Sequence, residues 1–505
     1  MGEISDVIGG GTPASADPTN FSDDGVPWIT PADLSRYRQK RISRGARGLT
    51  EKGLANSSAR LMPPGAVLLS SRAPVGYVAI AGDSLATNQG FKSFVLQAGL
   101  HPDYFYYYLL RARELAVSLA SGTTFLELSG KNAARLAVPL APLREQRRVV
   151  EAIETLLPRL DEAEAALERV QRNLKRYRAA VLRVAVEGRL VPTEAALARA
   201  ERRDYEPASE LLKRILAERR RRWEEAELAR LKAAGKCPKD DRWKAKYEDA
   251  ANPPTGGLAT LPKGWCWATV DSLADVKGGI TKNQARRSSE PLRRVPYLRV
   301  ANVQRGSLDL TEMATIPATE AEIEELRLLA GDVLFNEGGD RDKLGRGWIW
   351  RGQLPECIHQ NHVFRARLRT PDVFPEYLSW YGNSGGQRYF FEQGKQTTNL
   401  ASINLTKLKR LPVPLPPLME QERIVAEVQR LLSIAGATAH QVEAGLQRCT
   451  RLRQSILKWA FEGKLVDRDP NDEPASVLLE RIRAERPAQD QTLVGASRGG
   501  KTTMR

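Results

Sequence analysis

The stretch with the most explicit chemistry lies near the C-terminus, where Gly495-Ala-Ser-Arg-Gly-Gly500-Lys501-Thr502 matches the phosphate-loop pattern G-x-x-x-x-G-K-[ST]. Such a loop works by presenting backbone amides and a helix N-terminus to phosphate oxygens, and only Thr503, Met504 and Arg505 follow it here. It reads as part of a basic tail. Cys357-Ile-His359-Gln-Asn-His362 brings ligand-type side chains together, but it lacks a distant second cluster and falls in an apparent strand, so no metal is assigned to it. No G-x-G-x-x-G opens a strand–helix unit, and no nucleophile elbow is present. The reading assigns no catalytic residue and no metal ligand, which points away from an enzyme.

What remains is a set of polar and basic side chains in expected loops. Arg and Lys pair with guanine edges, Asn and Gln with adenine, and hydroxyls with phosphate. Thr12, Thr30, Ser71, Arg72, Gln89, Lys92, Thr123 and Thr124 form one such candidate set, beside Gly9-Gly-Gly11, Asp33 and Asn88. A second consists of Lys277, Lys282, Arg299, Asn302, Asn336, Arg341, Lys343 and Arg346, with Lys395, Thr397, Thr398 and Asn399 further on; Asn283 and Asn361 lie among them. Taken singly, each also reads as an ordinary turn or surface residue. Asn88 and Asn361, matched to each other within apparent core segments, read as structural.

The chain that must position these loops has 505 residues and a formal net charge of +16, with a sequence pI near 9.7. Excess positive charge points to a polyanion, most often nucleic acid. The length predicts about three domains. No apolar run is long enough for a membrane helix, and Met1 is followed by Gly-Glu-Ile-Ser-Asp rather than a signal-like stretch, so a cytoplasmic protein is expected. The cysteines Cys237, Cys266, Cys357 and Cys449 are widely separated and support neither a disulfide framework nor a zinc ribbon.

The sequence is written twice. Pro139-Leu-Ala-Pro-Leu-Arg-Glu-Gln146 recurs as Pro414-Leu-Pro-Pro-Leu-Met-Glu-Gln421, and the offset of 275 holds to Glu187-Gly-Arg-Leu-Val191 against Glu462-Gly-Lys-Leu-Val466. The parts ahead of these blocks match loosely: Val26-Pro-Trp-Ile29 with Val295-Pro-Tyr-Leu298, and Asn88-Gln-Gly-Phe91 with Asn361-His-Val-Phe364. From Ile153 through Leu156, Leu160, Ala163, Leu167, Val170, Leu174, Tyr177, Val181 and Val184, apolar positions alternate by four and three, the heptad signature. The second copy keeps this spacing from Ile424 to Leu452, Ile456 and Trp459, with small residues at Ala435, Gly445 and Cys449 that would let a partner helix approach. Pro142 and Pro417 suit first turns, Gly188 and Gly463 suit stops, and Pro158 should kink or interrupt the first helix. Such a helix could homodimerise; two copies in one chain could instead pair with each other. At 1.5 Å per residue, about 45 residues span roughly 65–70 Å, enough to address DNA segments separated by a helical turn or more. The parts read as 1–138 and 261–413, globular and α+β; 139–192 and 414–467, long helices; 193–260, a charged helical linker whose run Arg219 to Arg222 suits a solvated face; and 468–505, a tail.

Gly10-Gly-Thr-Pro13, Pro27-Trp-Ile29, Pro64-Gly-Ala-Val-Leu68, Ala86-Thr-Asn-Gln89, Gly122-Thr-Thr124, the twin Pro-Leu-x-Pro-Leu-x-Glu-Gln blocks and Leu261-Pro-Lys-Gly-Trp265 together resemble a type I restriction–modification specificity subunit, over nearly the whole chain. The resemblance implies two target-recognition domains joined by two long helices that form an antiparallel coiled coil, with pseudo-twofold internal repetition. Each domain would read one half of a bipartite double-stranded DNA site. Two methyltransferase subunits would dock on the helices and recruit restriction subunits. S-adenosylmethionine, ATP and Mg would belong to those partners, with no cofactor in this chain and no membrane. Because the candidate loops differ between halves, the target is expected to be asymmetric. The alternative is a non-catalytic coiled-coil scaffold or an inactive, truncated specificity subunit. Leu261 to Ala268 has no counterpart ahead of Met1, which aligns near Thr269; this departure predicts an N-terminally short first domain, through an upstream start or a truncation.

Overall fold

The computed structural model describes residues 1–72, 74–122, 126–236, 238, 240–254, 256–281, 290–339, 343–396 and 401–485. They fall into two compact units, Met1–Arg169 with Val442–Arg505, and Val170–Gln441. Both are α+β.

In the first unit, Ala66-Val-Leu-Leu-Ser70 is apolar without alternation, the pattern of a strand covered on both faces. Val67–Ser70 is buried throughout and lies at the centre of a five-stranded sheet ordered Ser5–Gly9, Phe91–Leu96, Val67–Ser70, Val78–Ala81, Arg41–Ile42. Val67, Leu69 and Phe94 pack with Tyr104, Phe105 and Tyr108 of the helix Pro102–Arg111, which opens on a proline in its first turn. Leu68 and Phe91 turn to the opposite core with Ile29, Leu34, Met62 and Leu85. A smaller sheet of Arg47–Leu49, Phe21–Ile29 and Ala86–Thr87 carries the loops at one end.

The second unit repeats this plan with altered detail. Ala274–Lys277, Val363–Leu368 and Val333–Asn336 form one sheet, and Ala314–Ala318, Arg293–Leu298 and Ile358–His359 another. Cys266–Thr269 pairs antiparallel with Pro412–Leu415, and all four residues of the latter are buried. The matching stretch 137–140 of the first unit is not a strand and is partly exposed.

The long helices run Leu143–Val186 and Leu418–Phe461, 44 residues each, beginning after Pro142 and Pro417. Helical bonding passes through Pro158 without the expected interruption. Pro158 forgoes one amide bond on an exposed face, while Ile153 and Leu160 on either side are held in the core. The two helices pack antiparallel within each unit. In the first, Arg453 lies 3.2 Å from Glu164 and also pairs with Asp161, and Leu167 packs on Gly445 so closely that an added Cβ would sit 3.0 Å from its methyl. In the second, Arg178 donates to the Ala435 carbonyl at 3.3 Å, and Val181 and Ala185 share a core with Ile424 and Val428.

The heptad reading overreaches at several positions. Val170, Tyr177, Leu452 and Trp459 are 40–45% exposed, and Ile456, Leu457 and Ala460 face the core instead. There the second helix packs against a globular sheet-and-helix core, which takes a straight helix's 3.6-residue stripe rather than a 3.5-residue seam. The charged linker contains the helices Glu194–Glu201 and Ala208–Ala233. Arg220, Arg221 and Arg222 pair with Glu224, Glu218 and Glu225 on an exposed face, whereas Arg219 turns inward and donates to the Tyr247 hydroxyl at 2.6 Å. No described helix is long and apolar enough to cross a membrane.

Candidate nucleic-acid interface

In the first unit three backbone bonds bring four loops together: Gly11 N to Thr87 O at 2.9 Å, Asn88 N to Ile29 O at 3.0 Å, and Ser71 N to Gly90 O at 2.7 Å. The approach is close enough to require glycine at position 10, where a Cβ would stand 2.0 Å from the Asn88 carbonyl. On this bracket Thr12 donates to the Gln89 side chain, which is itself exposed. Arg72 and Lys92 converge on the Glu127 carboxylate at 3.9 and 3.6 Å, and reciprocal backbone bonds between Ser121 and Glu127 hold that acid beside them. Thr30 is drawn inward: its amide and hydroxyl both donate to Asp33 at 2.7 Å, and Asp33 also accepts from Ala46 N at 2.8 Å. Ser71 is fully buried, and its hydroxyl has no hydrogen-bond partner among the described residues. Thr12, Arg72, Gln89 and Lys92 therefore stand together on one surface, and Thr30 and Ser71 support it.

The second unit builds the same bracket. Ile280 N donates to His359 O at 2.8 Å, Gln360 N to Leu298 O at 2.9 Å, and Glu337 N to His362 O at 2.9 Å; a Cβ at Gly279 would meet the His359 carbonyl at 1.9 Å. These bonds correct the repeat register. Asn88 is matched by Gln360, and Gln89 by Asn361, so the sequence match of Asn88 with Asn361 is one residue out. Asn88 shapes its own loop by accepting from Gly90 N at 2.9 Å.

Side chains on this second bracket are knit more tightly. Asn302, 3% exposed, accepts from Arg299 N at 3.0 Å and donates to Asp309 O and Glu312 O at 2.9 and 3.2 Å. Asn336, fully buried, donates to Val303 O and Val300 O at 2.9 and 3.2 Å. Burial and backbone bonding make these two asparagines loop supports, a correction to their reading as base-facing residues. Arg299 donates to Glu312 O at 2.9 Å and Arg346 to Val300 O at 3.3 Å, so both guanidinium groups brace the same loop. Lys277, at the end of its strand, pairs with Glu325, and Lys343 is half-buried. Burial lowers the His359 pKa to about 4; its Nδ1 lies 2.6 Å from Val363 O, so the neutral ring donates there. Thr123, Thr124, Lys282, Arg341, Thr397, Thr398, Asn399 and the phosphate-loop match at 495–502 lie outside the described residues, as does the Lys395 side chain.

Sequence reasoning missed the acids. Glu127, Glu325 and Glu337, the last paired with His362, each hold a basic side chain at these loops. A lone Glu in a loop carries no signal of this role until the fold sets a cation beside it.

Two α+β modules of one plan, each presenting basic and polar loops, define a two-headed recognition protein. Residues 1–170 match the family model for the type I restriction modification DNA specificity domain. The chain is 40% identical over 150 residues to the MjaIX specificity subunit of Methanocaldococcus jannaschii, spanning 29% of this chain and 34% of that relative. It is 26% identical over 382 residues to the EcoKI specificity subunit of Escherichia coli K12, 74% of this chain and 68% of the relative. A structure described under complex assembly and conformational transition of the type I R-M system shares the fold, with a TM-score of 0.59 at 18% identity over 92% of this chain and 96% of that one. The chain belongs to the type I restriction–modification specificity-subunit family, whose members are non-catalytic DNA-recognition subunits.

Proposed function

We propose that this chain is the sequence-specific DNA-binding subunit of a type I restriction–modification complex. It reads a bipartite, asymmetric double-stranded site and directs methylation and cleavage by partner subunits. One observation carries this reading: the same glycine-closed loop bracket occurs in both units and bears different side chains in each, with Thr12, Arg72, Gln89 and Lys92 on one and Lys277 and Lys343 on the other. A shared backbone frame with unlike side chains is what two different half-sites require. The recognition domains are taken as 1–138 and 261–413, with spacers 139–192 and 414–467, linker 193–260 and tail 468–505. Two methyltransferase subunits dock on this chain, and restriction subunits join through them. S-adenosylmethionine, ATP and Mg act in those partners, and the complex works in the cytoplasm.

The test is selection of duplex DNA from a random library by the chain purified with its methyltransferase. Enrichment of two unlike blocks at a fixed spacing is expected. Sequence-independent binding, or a palindromic motif, would sink the proposal.

A further inference from the structure

Residues 137–140 and 412–415 hold matching places ahead of the two long helices, and their surroundings differ in one respect. In the second unit, the segment Leu261–Thr269 adds a strand to Pro412–Leu415 and sets the Trp265 ring in a slot behind it. The ring is 8% exposed, donates from its indole nitrogen to Glu420 at 2.9 Å and meets Tyr377 edge-on at 6.4 Å. Tyr377 in turn donates to Pro414 O at 2.7 Å. Gly188, the stop of the first long helix, closes the slot: a Cβ there would stand 2.5 Å from Pro262 and 2.9 Å from Trp265.

Every wall of that slot is also present in the first unit. Tyr104 donates to Pro139 O at 2.9 Å, as Tyr377 does to Pro414. Glu145 occupies the place in its helix that Glu420 has, and Gly463 ends the second long helix with φ 67°, as Gly188 does the first with φ 69°. Between Tyr104, Pro139, Leu140, Glu145, Phe461 and Gly463 lies a cavity of about 410 Å³. The Met1 nitrogen donates to Leu136 O at 2.5 Å, the counterpart of the bond from Val270 N to Leu411 O at 3.1 Å, so a strand running into position 1 would arrive as Cys266–Thr269 arrives at Val270.

We infer that the first unit carries a docking groove for an extended segment with the chemistry of Leu261–Thr269, entering in line with the Met1 nitrogen, pairing antiparallel with 137–140 and seating a tryptophan between Tyr104, Glu145 and Gly463. The occupant is specified by the walls. An indole fills the aromatic slot and gives its N–H to a carboxylate, and a Pro-x-Gly turn passes the helix-stop glycine where a side chain would collide. Edge pairing supplies acceptors to the amides of Val138 and Leu140, the counterparts of Val413 and Leu415.

The test fuses the sequence of Leu258–Thr269 directly ahead of Met1 in the full-length chain, beside a control fusion with alanine at both tryptophans. Hydrogen exchange at Val138 and Leu140 is expected to slow about tenfold or more in the first fusion and not in the control. Glu145→Ala in the fused chain should remove much of that protection while leaving the melting temperature of the unfused chain unchanged. Equal exchange in the two fusions, whether both protected or both unprotected, would overturn the inference, as would protection that survives Glu145→Ala undiminished.

Discussion

Gly279→Ala tests whether the loop bracket depends on close backbone approach. Its Cβ would stand 1.9 Å from the His359 oxygen and 2.5 Å from the carbonyl carbon, backbone atoms that cannot swing aside. Separating the two chains breaks the bonds Ile280 N to His359 O, 2.8 Å, and Asn361 N to Ile280 O, 2.9 Å. At about 1 kcal/mol for each bond and about 1–3 kcal/mol for the overpacking, the loss is about 4 kcal/mol. For a unit of this size that corresponds to a fall in melting temperature on the order of 10 °C. The adjacent glycine is the control, because a Cβ at Gly278 has its nearest neighbour at 3.8 Å. The first unit offers the same contrast: Gly10 would collide with Asn88 O at 2.0 Å, whereas Gly9 has nothing within 4 Å. Calorimetric unfolding of the four alanine variants should therefore separate them into two stable and two destabilised proteins. If Gly279→Ala unfolds within a degree or two of Gly278→Ala, the bracket does not depend on this contact and the reasoning fails.

Three further outcomes follow from the same geometry. His359 has a folded pKa of about 4 against 6.5 in its ordinary state, so the unfolded chain binds the proton more readily. Its contribution is complete above pH 6.5 and falls away by about 3 kcal/mol as pH drops towards 4, a slope that His359→Leu should remove from urea titrations run across that range. Glu127→Gln frees Arg72 and Lys92 of a shared counter-charge, and the salt dependence of DNA binding by the assembled complex should steepen by about one to two in log–log slope; an unchanged slope would place both cations away from phosphate. Trp265→Ala leaves a large cavity and strips the buried Glu420 of its indole donor, so denaturant titration should show a loss of about 4 kcal/mol in the second unit.

Much of the architecture was legible because it is local or repeated. Helix ends marked by Pro142, Pro417, Gly188 and Gly463 needed no tertiary information, and the offset of 275 exposed the duplication. The pairing of Asn88 with Asn361 went one residue astray because matching letters outweighed a register set by non-local bonds to Ile29 and Leu298. Asn302 and Asn336 looked like base-reading side chains, since an isolated Asn in a loop carries no mark of burial. Leu452 and Trp459 fitted a heptad by spacing, but a neighbouring globular core decides which stripe of the helix it covers. Glu127 was invisible for the same reason: only the fold sets it between two cations.

The central claim is that this chain dictates where a methyltransferase acts. Co-expression with its methyltransferase subunit in a methylation-free host, followed by long-read mapping of methylated adenines, tests it most directly. The expected result is one bipartite motif with a fixed gap and unlike halves, absent when this chain is omitted. Methylation that is symmetric, scattered, or unchanged without this chain would contradict the account.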